Sequence, residues 1–386
     1  MLKGSMMTDN KISYFLPHVQ LQALLDALQH AGFSCVGPQV RDGAIVYDVL
    51  NHANQLPWGI RDHQTPGGYR LENIPEQKAF AFANGPQAIK PILFKAVETV
   101  WKVVRNNDGK LIFQPHQPRE IPVAIIGARS CDLAAMSIQD KVFVEGDYPD
   151  PRYKSRREQL FIVAVNCTYS SENCFCVSAG TGPEVRNPFD ILMTEVEDGF
   201  VVKIGSERGQ AIIAHLKLVK AKTAQDDDAI KNVAQAGAMQ TKRIPLDNKR
   251  ALRDLLFSNL NHPRWEEVAE RCLSCGNCTS VCPTCFCHSE VEKPSLDGTS
   301  SEHQREWDSC FTSGHSALNG SIVRDDTRKQ YRQWLTHKVG SWFDQFDTSG
   351  CVGCGRCTTW CPVGIDITEE LAAISGETNI RIVKSD

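Results

Sequence analysis

The 386-residue chain has no apolar run near the 18 residues a bilayer-crossing helix needs, and no secretory leader at its start. A membrane span and export are therefore not expected, and the chain reads as cytoplasmic. A basic excess is also missing. With 42 Lys and Arg against 46 Asp and Glu the net charge is -4, unlike the one-sided surface of a nucleic-acid binder or a polybasic membrane patch. No G-x-G-x-x-G opens a helix-like segment and no G-x-x-x-x-G-K-[ST] occurs, so neither NAD(P) nor a nucleotide phosphate has a recognisable site. Hydrophobic residues at 41% and charged residues at 23% exclude wholesale disorder, and the length suits two or three domains. Cysteine is the excess. Sixteen cysteines in a reducing compartment point to metal ligands rather than a disulfide scaffold.

Met1 to Asn10 is polar with three methionines, reads as part cloning scar, and is set aside. Leu21, Leu24, Leu25 and Leu28 have helical spacing, with Gly32 as a stop. Phe33 to Val40 and Ala44 to Leu50 flank Asp42-Gly43, a hairpin turn pair. Leu56 to Gly68 reads as loop, and nothing is assigned from there to about Pro118. Ile121 to Gly127 and Leu160 to Asn166 are short β-branched runs of the kind buried on both faces of a sheet, each ending just before a cysteine. Ile191 to Val196 and Phe200 to Ile204 form a second hairpin turning at Asp198-Gly199, and helices are expected within Glu207 to Leu260. Eleven of the sixteen cysteines lie at or beyond Cys272, which places a boundary near Asn261 to Pro263. The expected fold is an α/β N-terminal domain with a mixed sheet, 11–262, followed by a mostly helical ferredoxin-like dicluster domain, 263–386, with a long insertion between its motifs.

Cys272, Cys275, Cys278 and Cys282 form C-x2-C-x2-C-x3-C followed by Pro283, and the pattern returns as Cys351, Cys354, Cys357, Cys361 and Pro362. Three thiolates at these separations wrap three corners of one iron-sulfur cube, and the fourth is carried toward the other cube. Two 4Fe-4S clusters follow, one on Cys272, Cys275, Cys278 and Cys361, the other on Cys351, Cys354, Cys357 and Cys282. Gly276, Gly353 and Gly355 are expected to let the loop backbone approach the inorganic sulfides. Structural zinc also uses C-x2-C pairs, but two full copies with both prolines favour clusters. The 68 residues between Cys282 and Cys351 exceed the connection of a compact ferredoxin.

Cys131, Cys167, Cys174 and Cys176 supply four more thiols, two of them just after the expected buried strands. Ligands collect outside the carboxyl ends of strands in open α/β sheets, so these four are candidates for a third 4Fe-4S cluster, against the alternative of small buried residues. The segment Ala179 to Pro183 is a candidate loop folding over Cys176. Cys285, Cys287 and Cys310 could cap a cluster, bind metal or pack, and packing is the preferred reading; Cys35 reads as core. The single residue between Cys285 and Cys287 excludes c-type haem attachment before His288. Arg271-Cys272-Leu273-Ser274-Cys275 matches one half of a nickel-site motif without the other half. Trp307, Trp334, Trp342 and Trp360 read as core before they read as a cluster shield.

IIGARSCDLAAM, DKVF, FIVAVNC, CFC followed by GTGP, RCLSCGNCTSVCPTCFC, WDSC and SGCVGCGRCTTWCPVGIDITEE together resemble the 4Fe-4S dicluster family of sulfhydrogenase β-subunits and anaerobic sulfite reductase A-subunits, from about Leu16 to Ile374. The resemblance implies an electron-transfer subunit that passes electrons between an NAD(P)-linked flavoprotein subunit and a catalytic module, either a nickel-iron hydrogenase or a sulfite-reducing subunit. GTGP and the length favour the hydrogenase type. No catalytic acid, base or nucleophile is required of such a chain. Two rivals from other classes are a self-sufficient iron-sulfur reductase of a small substrate, and an oxygen-sensing iron-sulfur regulator.

Overall fold

Leucines at 21, 24, 25 and 28 share one helical face, and burying each against a sheet contributes roughly 1.5–3 kcal/mol. In the computed structural model the helix Leu21–His30 buries all four completely. The structure describes residues 12–83, 85–116, 121–245 and 249–376. The Met1 to Asn10 stretch, Pro118 and the outer ends of both expected domains lie outside the described residues.

The first region is built on an eight-stranded sheet. In chain order its early strands are β1 (Tyr14–Pro17), β2 (Ser34–Arg41) and β3 (Ala44–Val49), followed by a separate hairpin, β4 (Ile60–Thr65) and β5 (Gly68–Asn73). Next come β6 (Val97–Arg105) and β7 (Leu111–Pro115), then β8 (Val123–Ala128), β9 (Phe161–Val165), β10 (Ile191–Glu195), β11 (Gly199–Ile204) and β12 (Val219–Lys220). The sheet order is β12-β1-β11-β10-β9-β8-β2-β3. Its centre is parallel, because β2, β8, β9 and β10 run the same way, while β3, β11, β1 and β12 add antiparallel edges. The two apolar runs are thus neighbouring central strands, and β9 is buried along its whole length. That is the mixed sheet expected from the sequence.

Two local readings need correction. Leu56 to Gly68 is not all loop, since β4 (Ile60–Thr65) lies within it. Its strand carries the buried polar residues Asp62 and Gln64, bonded to Ala83 N and Thr359 Oγ1, which no hydrophobic period can reveal. The second hairpin turns at Glu197-Asp198 rather than Asp198-Gly199. Val196 N donates to Gly199 O, and Gly199 lies in β11 so close to Leu16 that an added Cβ would sit 2.4 Å from its carbonyl oxygen. The first hairpin matches: Asp42 and Gly43 both have positive φ, as a tight primed turn requires.

The second region combines short helices with a cysteine-lined core that includes Trp265, Tyr331, Trp334 and Leu371. The insertion between the motifs adds β13 (His288–Pro294) and β14 (Ser300–Trp307), so the region is less helical than its motifs imply. β14 pairs antiparallel with β6, giving a four-stranded sheet of order β13-β14-β6-β7. A buried charge group holds this junction. Arg305 donates to Glu98 Oε2 at 2.9 Å and to Asp150, and Arg156 also pairs with Glu98. Each cation meets a carboxylate, as buried charge demands.

Candidate metal centre

Both C-x2-C-x2-C loops have the same local build. A glycine in the left-handed region, Gly276 at φ 75° or Gly355 at φ 72°, turns the chain into one turn of helix, Asn277–Ser280 or Arg356–Thr359. That turn carries the third cysteine of the motif, Cys278 or Cys357. Cys272, Cys275, Cys278 and Cys361 line one cavity, closed by Phe311, Tyr331, Trp334 and Ile365. The fourth thiol comes from the other motif. Backbone N–H groups aim at two of these sulfurs, Ser274 N at Cys272 Sγ (3.4 Å) and Ile365 N at Cys361 Sγ (3.3 Å). Cys275 alone of the four is exposed.

Cys282 lies near the second motif. Burial raises the Cys351, Cys354 and Cys357 thiols above their usual range and the Cys282 sulfur adds to this at all three, with Cys278 a further neighbour of Cys357. Burial likewise raises Cys351 to about 12. Lys338, itself buried, donates to Cys282 Sγ at 3.2 Å and to Thr284 Oγ1 at 3.0 Å. The buried Lys90 ammonium donates to the carbonyls of Ser280 and Cys282 and lies over the Trp307 ring. An anionic guest among these thiols would meet two buried ammonium groups.

The remaining set is assembled by the sheet. β8 ends at Ala128 and β9 at Val165, and they are adjacent and parallel, so Cys131 and Cys167 emerge together at their carboxyl ends. Cys174 and Cys176 return on the next loop, and all four thiols line a single cavity with Arg129, Tyr169, Pro183, Gly353, Cys354 and Arg356. Burial pushes all four thiols above their ordinary range, Cys176 to about 12. Four thiolates therefore need compensating positive charge here, from a metal group and from the walls. The walls supply it. Arg129 is buried with Nη2 bonded to Phe80 O and Phe82 O, while Nε and Nη1 have no oxygen or nitrogen partner among the described residues and the guanidinium faces the Cys167 thiol. Arg356 Nη2 donates to Asp132 at 2.6 Å, and Nη1 likewise has no hydrogen-bond partner among the described residues. Unsatisfied guanidinium N–H groups beside four thiols fit an anionic, sulfur-rich guest, and so does the donor set.

The three thiol sets are joined through shared walls. Cys354 lines the sheet-edge cavity and Cys357 lines the cavity of Cys272, so the Cys351 set stands between the other two. Gly353 and Gly355 make this contact. A Cβ on Gly353 would lie 2.6 Å from Phe175 O, and one on Gly355 2.3 Å from Asn173 O. Phe175 N donates to Gly353 O at 2.9 Å. The structure thus shows these two glycines admitting the neighbouring loop. The loop of Ala179 to Pro183 does fold over Cys176, with Thr181 N bonded to Cys176 O and Gly182 against Cys176 Sγ.

Sequence reasoning passed over the buried cations. Arg129 and Arg356 sit inside the motifs, directly before Ser130-Cys131 and between Cys354 and Cys357, where a charged residue in a buried loop was a usable signal. Lys338 and Lys90 carried none. Cys35 is core. Trp334 and Trp342 are buried, whereas Trp307 and Trp360 are half-buried.

A 4Fe-4S dicluster domain model matches residues 271–365, and a second model of the same description matches 238–286. The chain is 33% identical over 330 residues to sulfhydrogenase 2 subunit beta of Pyrococcus furiosus, covering 83% of this chain and 92% of that protein. No solved structure matches. Among the described residues no helix is long and apolar enough to cross a membrane.

Proposed function

The chain belongs to the sulfhydrogenase β-subunit family of 4Fe-4S dicluster proteins, and from that premise we propose that it is the electron-relay subunit of a multi-subunit oxidoreductase. The observation that carries this reading is the shared lining: Cys354 and Cys357 put three thiol sets in contiguous order, with the exposed Cys275 at one end. Cys272, Cys275, Cys278 and Cys361 would hold one 4Fe-4S cluster, Cys351, Cys354, Cys357 and Cys282 a second, and Cys131, Cys167, Cys174 and Cys176 a third. Each cluster, when bound, takes up and releases one electron without large rearrangement. The chain's own part is to exclude water with Phe311, Tyr331 and Trp334. Lys338, Arg129 and Arg356 set the local charge, and Ser274 and Ile365 N–H groups bond ligand sulfurs.

The partners in this reading are an NAD(P)-linked flavoprotein subunit and a catalytic module, a nickel-iron hydrogenase before a sulfite reductase, working in the cytoplasm. A flavoprotein partner suits this reading, because the sequence carries no G-x-G-x-x-G or P-loop fingerprint. Purification with native partners followed by mass spectrometry tests the proposal. Hydrogenase and flavoprotein subunits are the expected companions. A stable lone chain that binds NADH at micromolar concentration and turns over a small substrate would overturn the relay in favour of a self-sufficient reductase.

A further inference from the structure

Cys287, Cys310 and His315 lie outside the three thiol sets, yet their donor atoms all fall within 4.8 Å of one another. The hairpin brings them together. His288 in β13 pairs with Trp307 in β14, and Asp308 N donates to Cys287 O at 2.9 Å, so Cys287 lies beside the turn that leads to Cys310. His315 comes back on the short helical turn Ser313–Ser316, its backbone N–H bonded to Thr312 O. Asp308 Oδ2 stands 2.8 Å from His315 Nδ1. A proton held on Nδ1 by that carboxylate leaves the Nε2 lone pair free, the arrangement by which a carboxylate orients a metal-bound histidine.

We propose that Cys287, Cys310 and His315 bind a zinc-class divalent cation that clasps the base of the β13–β14 hairpin to the segment after it. Two thiolates and an imidazole are the donors zinc takes in tetrahedral sites, and a water completes the fourth position. An iron-sulfur cube is held by four thiolates, and among the described residues this group offers two thiols and one imidazole. The clasp answers a lack in the local packing. From Thr312 to Lys329 no residue is buried, so the segment has no apolar anchor of its own. Binding displaces the two thiol protons to solvent and substitutes for the missing core.

The test uses the full chain, prepared anaerobically with its iron-sulfur centres assembled and zinc supplied, with zinc and iron counted separately. Wild type should hold about one zinc per chain. Cys310→Ser and His315→Ala should each lose it while keeping the wild-type iron content, and zinc removal should open the 312–329 segment to limited proteolysis. Cobalt(II) in place of zinc should give a thiolate charge-transfer band that both variants lack. Wild type without zinc, zinc retained by either variant, or iron lost together with zinc in His315→Ala would each overturn the proposal. A Cys287–Cys310 disulfide in the anaerobically denatured chain would do the same. His315 is partly exposed, so its variant remains informative if Cys310→Ser does not fold.

Discussion

In the second region, three thiols of each set come from one seven-residue loop, Cys272 to Cys278 or Cys351 to Cys357, whereas the sheet-edge set spans Cys131 to Cys176. The loops need only a left-handed glycine and one helical turn to gather their sulfurs, so their loop-closure cost is small. The sheet-edge set must wait for β8 and β9 to pair before Cys131 and Cys167 can meet. The surroundings differ too: Cys275 is exposed, while the sheet-edge thiols sit between two enclosed arginines. Equal donor counts can therefore arise from local spacing or from sheet topology, and only the second kind depends on the whole fold.

The comparison can be broken most sharply at the sheet edge. Cys174→Ser combined with Cys176→Ser should lower the anaerobic iron content from about twelve atoms per chain to about eight, leaving the ferredoxin-type signals intact. Iron that stays near eight in fully reconstituted wild type, with no loss in the double variant, would return these four thiols to the core. A smaller effect is expected from Cys361→Ser. Because its sulfur lines the cavity of Cys272, Cys275 and Cys278, electron paramagnetic resonance should show that centre perturbed more than the one beside Cys361 in sequence. Damage confined to the Cys351 centre would reject the crossed ligation.

The smallest effect falls on the joint between the two kinds of site. Gly353→Ala places a Cβ 2.6 Å from Phe175 O at a left-handed φ of 65°, which costs about 1–2 kcal/mol for the backbone conformation alone. Iron content should be unchanged when freshly prepared, while iron is released faster on warming. Equal retention in variant and wild type would show that the two loops can separate without cost.

The first hairpin, the helix Leu21–His30, the two buried strands and both cluster motifs were legible because each is written in short-range pattern: a turn pair, a 3.6-residue period, a β-branched run, a fixed cysteine spacing. β4 was not legible, because its buried positions are Asp62 and Gln64, whose partners lie elsewhere in the chain. β6 was equally hidden. It is half-buried along most of its length and is completed by β14, about 200 residues later.

For the sites, the residues themselves determine which thiols are available, since a thiolate is a ligand by its own chemistry and a C-x2-C-x2-C loop has little freedom to do otherwise. The sequence also carries the two buried apolar runs that precede Cys131 and Cys167, while their parallel pairing belongs to the fold. Tertiary structure alone decided that Arg129 and Arg356 face those thiols and Lys338 faces Cys282, that Cys354 and Cys357 are shared walls, and that Cys287, Cys310 and His315 converge. The reason is physical. Charge compensation and wall sharing act through space at a few ångströms between residues far apart in the chain, and no periodicity records a partner that the backbone has yet to bring near.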